Sequence, residues 1–218
     1  ANGEQIWEEV LPATITAIQT GNLNVNDASE IAVGTEAGDV IVFNNAANIM
    51  WQTQLPEPVT QLLIVRDSLT QSPAIVAATT HRLFLVSSEH VPWIMAIYDS
   101  PIKAIYPFAQ SGSSQSSLVV FTADKQVSAI TLSGRRLPQW PIAIDGPPQK
   151  TLYAQELLVE EPLPKQASES FLLTTEDGTL RSLVIENGQP QLSWLLTRLG
   201  EISSLYWGDL DNDGVPDM

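Results

Sequence analysis

Residues 30–44, EIAVGTEAGDVIVFN, contain two short runs rich in β-branched residues on either side of the tight-turn residues Glu-Ala-Gly-Asp (36–39). This pattern predicts a β-hairpin. The same order recurs three more times along the chain, as AIVAAT with RLFLVS, SLVVFT with QVSAIT, and FLLTTE with LRSLVI. No window sustains an apolar stripe at helical spacing. The chain is therefore predicted to be all-β.

An opening strand precedes each hairpin and defines a repeat. The units start near residues 15, 59, 102, 151 and 202, which are 44, 43, 49 and 51 residues apart. A period in the forties is typical both of β-propeller blades and of helical repeats. The strand content favours the propeller.

A tryptophan lies late in each unit and supports the same frame. The five residues are Trp7, Trp51, Trp93, Trp140 and Trp194. We expect them to share one structural position, where a large flat ring fills the gap between neighbouring blades. A stack that binds a cofactor or ligand is the alternative interpretation.

Each unit is interpreted as a four-stranded antiparallel sheet made of the opening strand, the central hairpin and the tryptophan strand. One such sheet cannot bury both faces alone, so several must stack around an axis. We predict one domain over residues 1–218, or an arc of a larger propeller of six to eight blades, with about four complete blades and partial blades at both ends. The first residues do not resemble a signal peptide, and no stretch has the length of a membrane helix.

The composition excludes several classes of function. With 25 acidic and 10 basic side chains, the formal net charge is −15. An acidic surface repels phosphate, which disfavours nucleic-acid binding and docking on anionic membranes. The chain has no cysteine, so thiol catalysis, zinc–thiolate sites and disulfides are excluded.

The last residues contain a candidate metal-binding loop, Asp-Leu-Asp-Asn-Asp-Gly-Val-Pro-Asp at 209–217. Alternate spacing directs Asp209, Asp211 and Asp213 toward one centre, and Gly214 permits a sharp turn. Clustered carboxylates repel each other unless a cation lies between them. A hard divalent cation with oxygen ligands fits, and the flexible coordination of Ca²⁺ suits such a loop best.

This loop resembles the DxDxDGxxD calcium loop of integrin-like FG-GAP (VCBS-type) repeats. The strand Ile-Ala-Val-Gly-Thr (31–35) and the segment Leu-Pro-Gln-Trp-Pro (137–141) are also similar to that family, whereas Gly-Glu-Gln-Ile-Trp (3–7) is similar to quinoprotein-type propeller repeats. The resemblance implies a calcium-binding propeller. The ligands it implies are Asp209, Asp211, Asp213, the Val215 carbonyl and Asp217.

The equivalent loop of the first unit departs from this pattern. It has Asn22, Asn24, Asn26 and Glu30 at the ligand positions, and Asp27 where the turn glycine is expected. A ligand set with a single charge predicts poor calcium affinity. We expect these asparagines to form Asx turns with their own backbone instead, with a weak second metal site as the alternative.

No catalytic arrangement stands out in the sequence. The two histidines, His81 and His90, lie in predicted turns without a neighbouring nucleophile. We therefore predict a non-catalytic calcium-binding β-propeller that recognises a protein or glycan through the loops on one rim. The alternative is part of a propeller enzyme, either a quinoprotein-like dehydrogenase or a calcium-dependent polysaccharide lyase, whose catalytic residues lie outside this chain. The resemblance and the need for calcium imply an extracellular, cell-surface or periplasmic location.

Overall fold

The computed structural model describes residues 7–24, 29–66, 72–87, 89–109, 116–144, 148–154, 169–175, 178–186 and 189–197. Within these ranges every regular element is a β-strand. The strands form four antiparallel four-stranded sheets, which we call blades 1 to 4. The predicted all-β fold with four-stranded antiparallel blades is confirmed. The described residues include no helix long and apolar enough to cross a membrane.

The strand bounds follow the predicted repeat. Blade 1 consists of β1 (Ile15–Gly21), β2 (Glu30–Thr35), β3 (Asp39–Phe43) and β4 (Ile49–Gln54). Blade 2 consists of β5 (Gln61–Arg66), β6 (Pro73–Ala78), β7 (Arg82–Val86) and β8 (Pro92–Ile97). Blade 3 consists of β9 (Ile102–Ala109), β10 (Ser116–Thr122), β11 (Gln126–Thr131) and β12 (Ile142–Ala143). Blade 4 consists of β13 (Pro148–Ala154), β14 (Glu169–Thr175), β15 (Leu180–Glu186) and β16 (Gln189–Leu196).

In each blade the opening strand is at one edge of the sheet and the last strand is at the other edge. In blade 3 the last strand, β12, begins after Trp140 and does not contain it. Two opening strands begin at residues other than those predicted. The blade 2 strand begins at Gln61 rather than 59, because the Val59 N–H donates to the Thr35 carbonyl of blade 1 (3.0 Å). The blade 4 strand begins at Pro148 rather than 151, where Pro148 is already in register with Thr175.

The chain divides into two compact units. The first contains Ala1–Ile105 with Leu132–Gly134, and therefore holds blades 1 and 2. The second contains Tyr106–Thr131 with Arg135–Met218. The prediction of a single domain, or of an arc of a larger propeller, stays a prediction.

Blades 1 and 2 bury one hydrophobic core between them. Strand residues alternate between the two faces of a sheet, so each blade presents one apolar row to its neighbour. The buried members are Ala32, Val40, Val42, Leu55 and Val59 from blade 1 and its exit, and Leu62, Ile75, Ala77, Phe84 and Val86 from blade 2. Burial of such side chains stabilises the fold by roughly 25 cal/mol for each Å² of apolar surface removed from water.

A β-bulge interrupts the outer strand of both blades. In β4 the register shifts between Val42 and Phe43, which leaves Met50 as the extra residue. In β8 the register shifts between Leu83 and Phe84, which leaves Met95 as the extra residue. Bulges twist an edge strand and hinder pairing with another sheet. Both outer strands therefore carry one structural device against edge-to-edge aggregation.

Trp51 and Trp93 share a register but differ in environment, whereas Trp140 is buried outside the strands. Trp51 pairs with Val42 and Trp93 pairs with Leu85, which are equivalent positions of β3 and β7. Trp51 is half-buried and stacks on His90 at 4.6 Å between ring centroids, whereas Trp93 is 41% exposed. The expectation that every ring fills a gap between blades is therefore wrong for Trp93. The Trp194 side chain is outside the described residues.

Candidate functional site

The predicted calcium loop lies outside the described residues. This applies to all its proposed ligands, which are Asp209, Asp211, Asp213, Val215 and Asp217. Elsewhere, in the part of the chain that the structure describes, no three acidic or histidine side chains are grouped so as to hold a metal ion. The calcium site stays a prediction.

The equivalent loop of blade 1 is held by its own hydrogen bonds. Asn22 Oδ1 accepts from the Asn24 N–H (3.1 Å), which is the Asx turn expected from the sequence. The Glu30 side chain is almost fully buried, and its two carboxylate oxygens accept from the Leu23 N–H (2.7 Å) and from Asn24 Nδ2 (2.6 Å). Asn26 lies outside the described residues. The loop thus satisfies its buried carboxylate with N–H donors, as burial of a charge requires.

The position of Glu30 differs between blades. It opens the second strand of blade 1, and the equivalent residues in blades 2 and 3 are Ala74 and Ser117, both buried. Ser117 Oγ has no hydrogen-bond partner among the described residues. The carboxylate that stabilises the first loop is therefore a property of blade 1 and not of the repeat.

A buried threonine lies at the end of the second strand of each blade, or directly after it in blade 2, and caps the hairpin turn. The four residues are Thr35, Thr79, Thr122 and Thr175. Each hydroxyl bonds to a group inside the turn: for example, Thr35 Oγ1 donates to Asp39 Oδ2 and accepts from the Asp39 N–H (both 3.0 Å). The sequence signal for this cap is the final threonine of the runs EIAVGT, AIVAAT, SLVVFT and FLLTT. These polar side chains stabilise the hairpins.

Glu57 links the segment between blades to the hairpin of blade 2. Its Oε2 accepts from Thr79 Oγ1 (2.7 Å), and its Oε1 forms an ion pair with the Arg82 guanidinium. Both charged side chains are about one-third exposed or less. A partly exposed ion pair contributes little by itself, but with the threonine it fixes how the chain enters blade 2.

Side chains of the opening strands also bond to backbone groups further along the chain. Thr16 Oγ1 in blade 1 donates to the Val59 carbonyl. The Gln61 side chain in blade 2 forms two bonds with the backbone of Ile105, from Nε2 to the carbonyl (2.7 Å) and from the Ile105 N–H to Oε1 (2.9 Å). Our sequence interpretation missed this role of Gln61, and its signal is an amide at a position that is alanine in blades 1 and 3 (Ala17 and Ala104).

The two histidines support local structure. His81 Nδ1 lies 3.2 Å from the Tyr98 carbonyl, which closes the turn before β7. His90 is exposed, has a positive φ of 59° and stacks on Trp51 of blade 1. The prediction that these residues lie in turns is confirmed.

The outer strands of blades 1 and 2 expose apolar side chains. Strands β4 and β8 read IMWQTQ and PWIMAI and contain no charged residue. The most exposed apolar residues on and beside them are Ile49, Met50, Val91, Trp93, Ile94 and Ile97. Ile94 and Ile97 lie on one face of β8, because their partners Phe84 and Arg82 are two residues apart on β7. An exposed apolar patch on a protein surface indicates an interaction site.

No protein-family model matches the chain, and no curated protein matches it. Among solved structures, it is similar to BBS1N in complex with ARL6DN in a crystal soaked with lead, with a TM-score of 0.70 and 14% identity over 93% of this chain and 62% of that chain. A second crystal of the same complex, soaked with mercury, has a TM-score of 0.70, 15% identity and coverage of 93% and 61%. The N-terminal domain of Nup159 has a TM-score of 0.52 and 9% identity over 78% of this chain and 41% of that chain.

These similarities show the fold, which is that of β-propeller domains. The chain spans about six-tenths of the length of the two BBS1N chains. The finer resemblance to FG-GAP repeats stays a prediction.

Proposed function

We propose that this chain is a non-catalytic β-propeller module that recognises a protein partner. The observation that carries the proposal is the uncharged and exposed apolar surface of β4 and β8 on a chain whose net charge is −15. A chain this acidic is kept soluble by its charge, so a surface without charge on stiff strands is suited to contact with another protein. The similar BBS1N propeller was crystallised in a protein–protein complex, which supports the same class of function.

The polar side chains of the hairpin ends support a scaffold role. The capping threonines, Glu30 and Glu57 all make hydrogen bonds that stabilise turns or connections. Catalysis requires polar groups that converge on a substrate position. The enzymatic alternatives depend on catalytic residues outside this chain and stay predictions.

The partner class can be tested with two defined probes. A phage-displayed library of random 12-residue peptides represents protein ligands, and a printed glycan array represents carbohydrates. We expect saturable binding of selected synthetic peptides at micromolar concentration, measured by fluorescence polarisation. Binding to glycans without any peptide binder would contradict recognition of a protein.

We further propose that loop 209–217 binds Ca²⁺ through Asp209, Asp211, Asp213, the Val215 carbonyl and Asp217. The donor set supports this, since four clustered carboxylates need a hard cation between them. Such a site fits the calcium-rich extracellular, cell-surface or periplasmic compartments.

Calcium should raise the melting temperature of the protein. A ligand that binds only the folded state stabilises it, and at about 100 times its Kd the increment is about 3 kcal/mol, or roughly 6 to 12 °C for a chain of this size. Asp211→Ala should remove the increment, whereas Asp99→Ala, in the exposed bend after β8, should retain it. Equal melting temperatures for the wild-type protein in chelator and in millimolar CaCl₂ would contradict the site.

A further inference from the structure

Blades 1 and 2 each have a row of paired apolar residues that faces the other blade, and each row continues onto the outer strand. In blade 1 the row runs from Ala32 through Val42 to Trp51. In blade 2 it runs from Ala77 through Phe84 to Ile94. The inner members of both rows belong to one buried core, and Trp51 packs against that core. Because directly paired residues point to the same face of a sheet, Ile94 lies on the face of β8 that is turned toward blade 1.

The bulge at Met95 places Ile97 on this face as well. Ile94 pairs with Phe84 and Ile97 pairs with Arg82, two residues apart on β7. Ile94 is 47% exposed and Ile97 is 60% exposed. At one end, His90 stacks on Trp51 and connects the two blades. We call Trp51, His90, Ile94 and Ile97 the β4–β8 surface.

The same register positions of blade 1 are polar. Gln52 pairs with Ile41 and Gln54 pairs with Asp39, so they are the counterparts of Ile94 and Ile97. Both glutamines are exposed. The repeat therefore folds with glutamine at these positions, and the fold alone does not require isoleucine in blade 2.

We propose that the β4–β8 surface is the docking site for a short segment of a partner protein that presents two apolar side chains flanked by lysine or arginine. This proposal rests on the proposed protein-recognition function and names its surface and the chemistry of its ligand.

The size of the surface favours a short segment of a partner protein as its ligand over a second copy of the chain. The surface exposes on the order of 300 Å² of apolar area, typical of a functional patch on a monomer. A stable protein–protein interface buries roughly 800 Å² on each partner. Two copies of a chain with net charge −15 also repel each other.

The acidic residues around the surface favour a ligand with basic residues beside its apolar side chains. Residues 1–65 contain eight acidic and no basic side chains. Strand β8 is itself uncharged, but the exposed residues Glu89 and Asp99 lie just beyond its two ends. Arg82, which pairs with Ile97, is compensated by its ion pair with Glu57. Lysine or arginine beside the apolar residues of the ligand would complement this field and increase the rate of association.

The test uses the full chain and synthetic peptides selected from the random 12-residue library. The double variant Ile94→Gln/Ile97→Gln gives blade 2 the side chains of blade 1. It should weaken peptide binding by about tenfold or more, as expected when the apolar anchors of an interface are removed. The matched control is Ile18→Gln, because Ile18 is 61% exposed but lies on β1, at the opposite edge of blade 1 from β4. It should leave the affinity unchanged, and unaltered circular dichroism and thermal melting of both variants verify folding.

The outcomes separate this proposal from the function on which it rests. Selected peptides rich in apolar pairs with lysine or arginine, whose affinity falls with added salt, support the docking site. Peptides that bind the double variant as tightly as the wild-type protein overturn the docking site and leave protein recognition standing. A library that yields no binder overturns both. A concentration-dependent dimer in light scattering that the double variant abolishes overturns the partner segment in favour of a second copy.

Discussion

Blades 1 and 2 have the same strand order, yet their outer strands differ in chemistry and in the position of the β-bulge. Trp51 is half-buried against His90, whereas its counterpart Trp93 is exposed. Gln52 and Gln54 in β4 correspond to Ile94 and Ile97 in β8. The inner strands of both blades meanwhile contribute to one shared core. The repeat thus dictates where each side chain lies, and the individual blade determines what it presents to solvent or to a partner.

The difference also extends to the contact between the blades. Gly34 of blade 1 corresponds to Ala78 of blade 2, each preceding its capping threonine. A Cβ at Gly34 would clash with Cγ1 of the buried Val59. Blade 1 therefore needs glycine where blade 2 accommodates a methyl group. This asymmetry lets the segment between the blades pack directly on β2.

The largest effect that we expect comes from breaking this asymmetry. Gly34→Ala should lower the free energy of unfolding by about 3 kcal/mol, since the new methyl group overpacks a core that cannot expand freely. Urea denaturation measures the change.

The double variant Gly34→Ala/Val59→Ala provides the control. Removing the Val59 methyl groups relieves the closest contact but leaves the Val59 Cβ 2.8 Å from the new Cβ, so the double variant should be more stable than the sum of the two single changes by about 1 kcal/mol. A Gly34→Ala protein with wild-type stability would show that the close contact with Val59 does not constrain the packing of the blades.

A smaller effect should separate the two tryptophans. Trp51→Ala should destabilise the protein by about 1 kcal/mol more than Trp93→Ala, because only the Trp51 ring packs on the core and stacks on His90. Thermal denaturation of both variants measures the difference. Equal losses would contradict the distinction between the two environments, and a larger loss for Trp93→Ala would reverse it.

Most of the blade architecture could be predicted from the sequence. Short β-branched runs around tight turns, repeated every forty to fifty residues, are sufficient for strand order, since each hairpin is a local structure. Strand β5 begins two residues after the predicted position because the Val59 N–H bonds to the Thr35 carbonyl of the neighbouring blade. Such a bond joins residues distant in sequence and leaves no local pattern.

The candidate sites were less predictable. The Asx turn at Asn22 followed from residue type, because asparagine bonds its own backbone locally. The β4–β8 surface did not follow, since the tryptophan strands looked equivalent and all five rings were expected to be covered. The exposure of Trp93 and Ile94 depends on how neighbouring sheets pack.

By itself, the sequence determined the blades, because hydrogen bonding along a strand and the chemistry of its turns are short-range. The tertiary structure decided which residues of equivalent strands are buried. The buried Glu30 carboxylate is stabilised because Leu23 and Asn24 bring N–H donors to it. Ile94 is exposed because the core between blades 1 and 2 does not extend to it. Burial is a property of contacts between blades, and contacts between distant segments form only when the chain has folded.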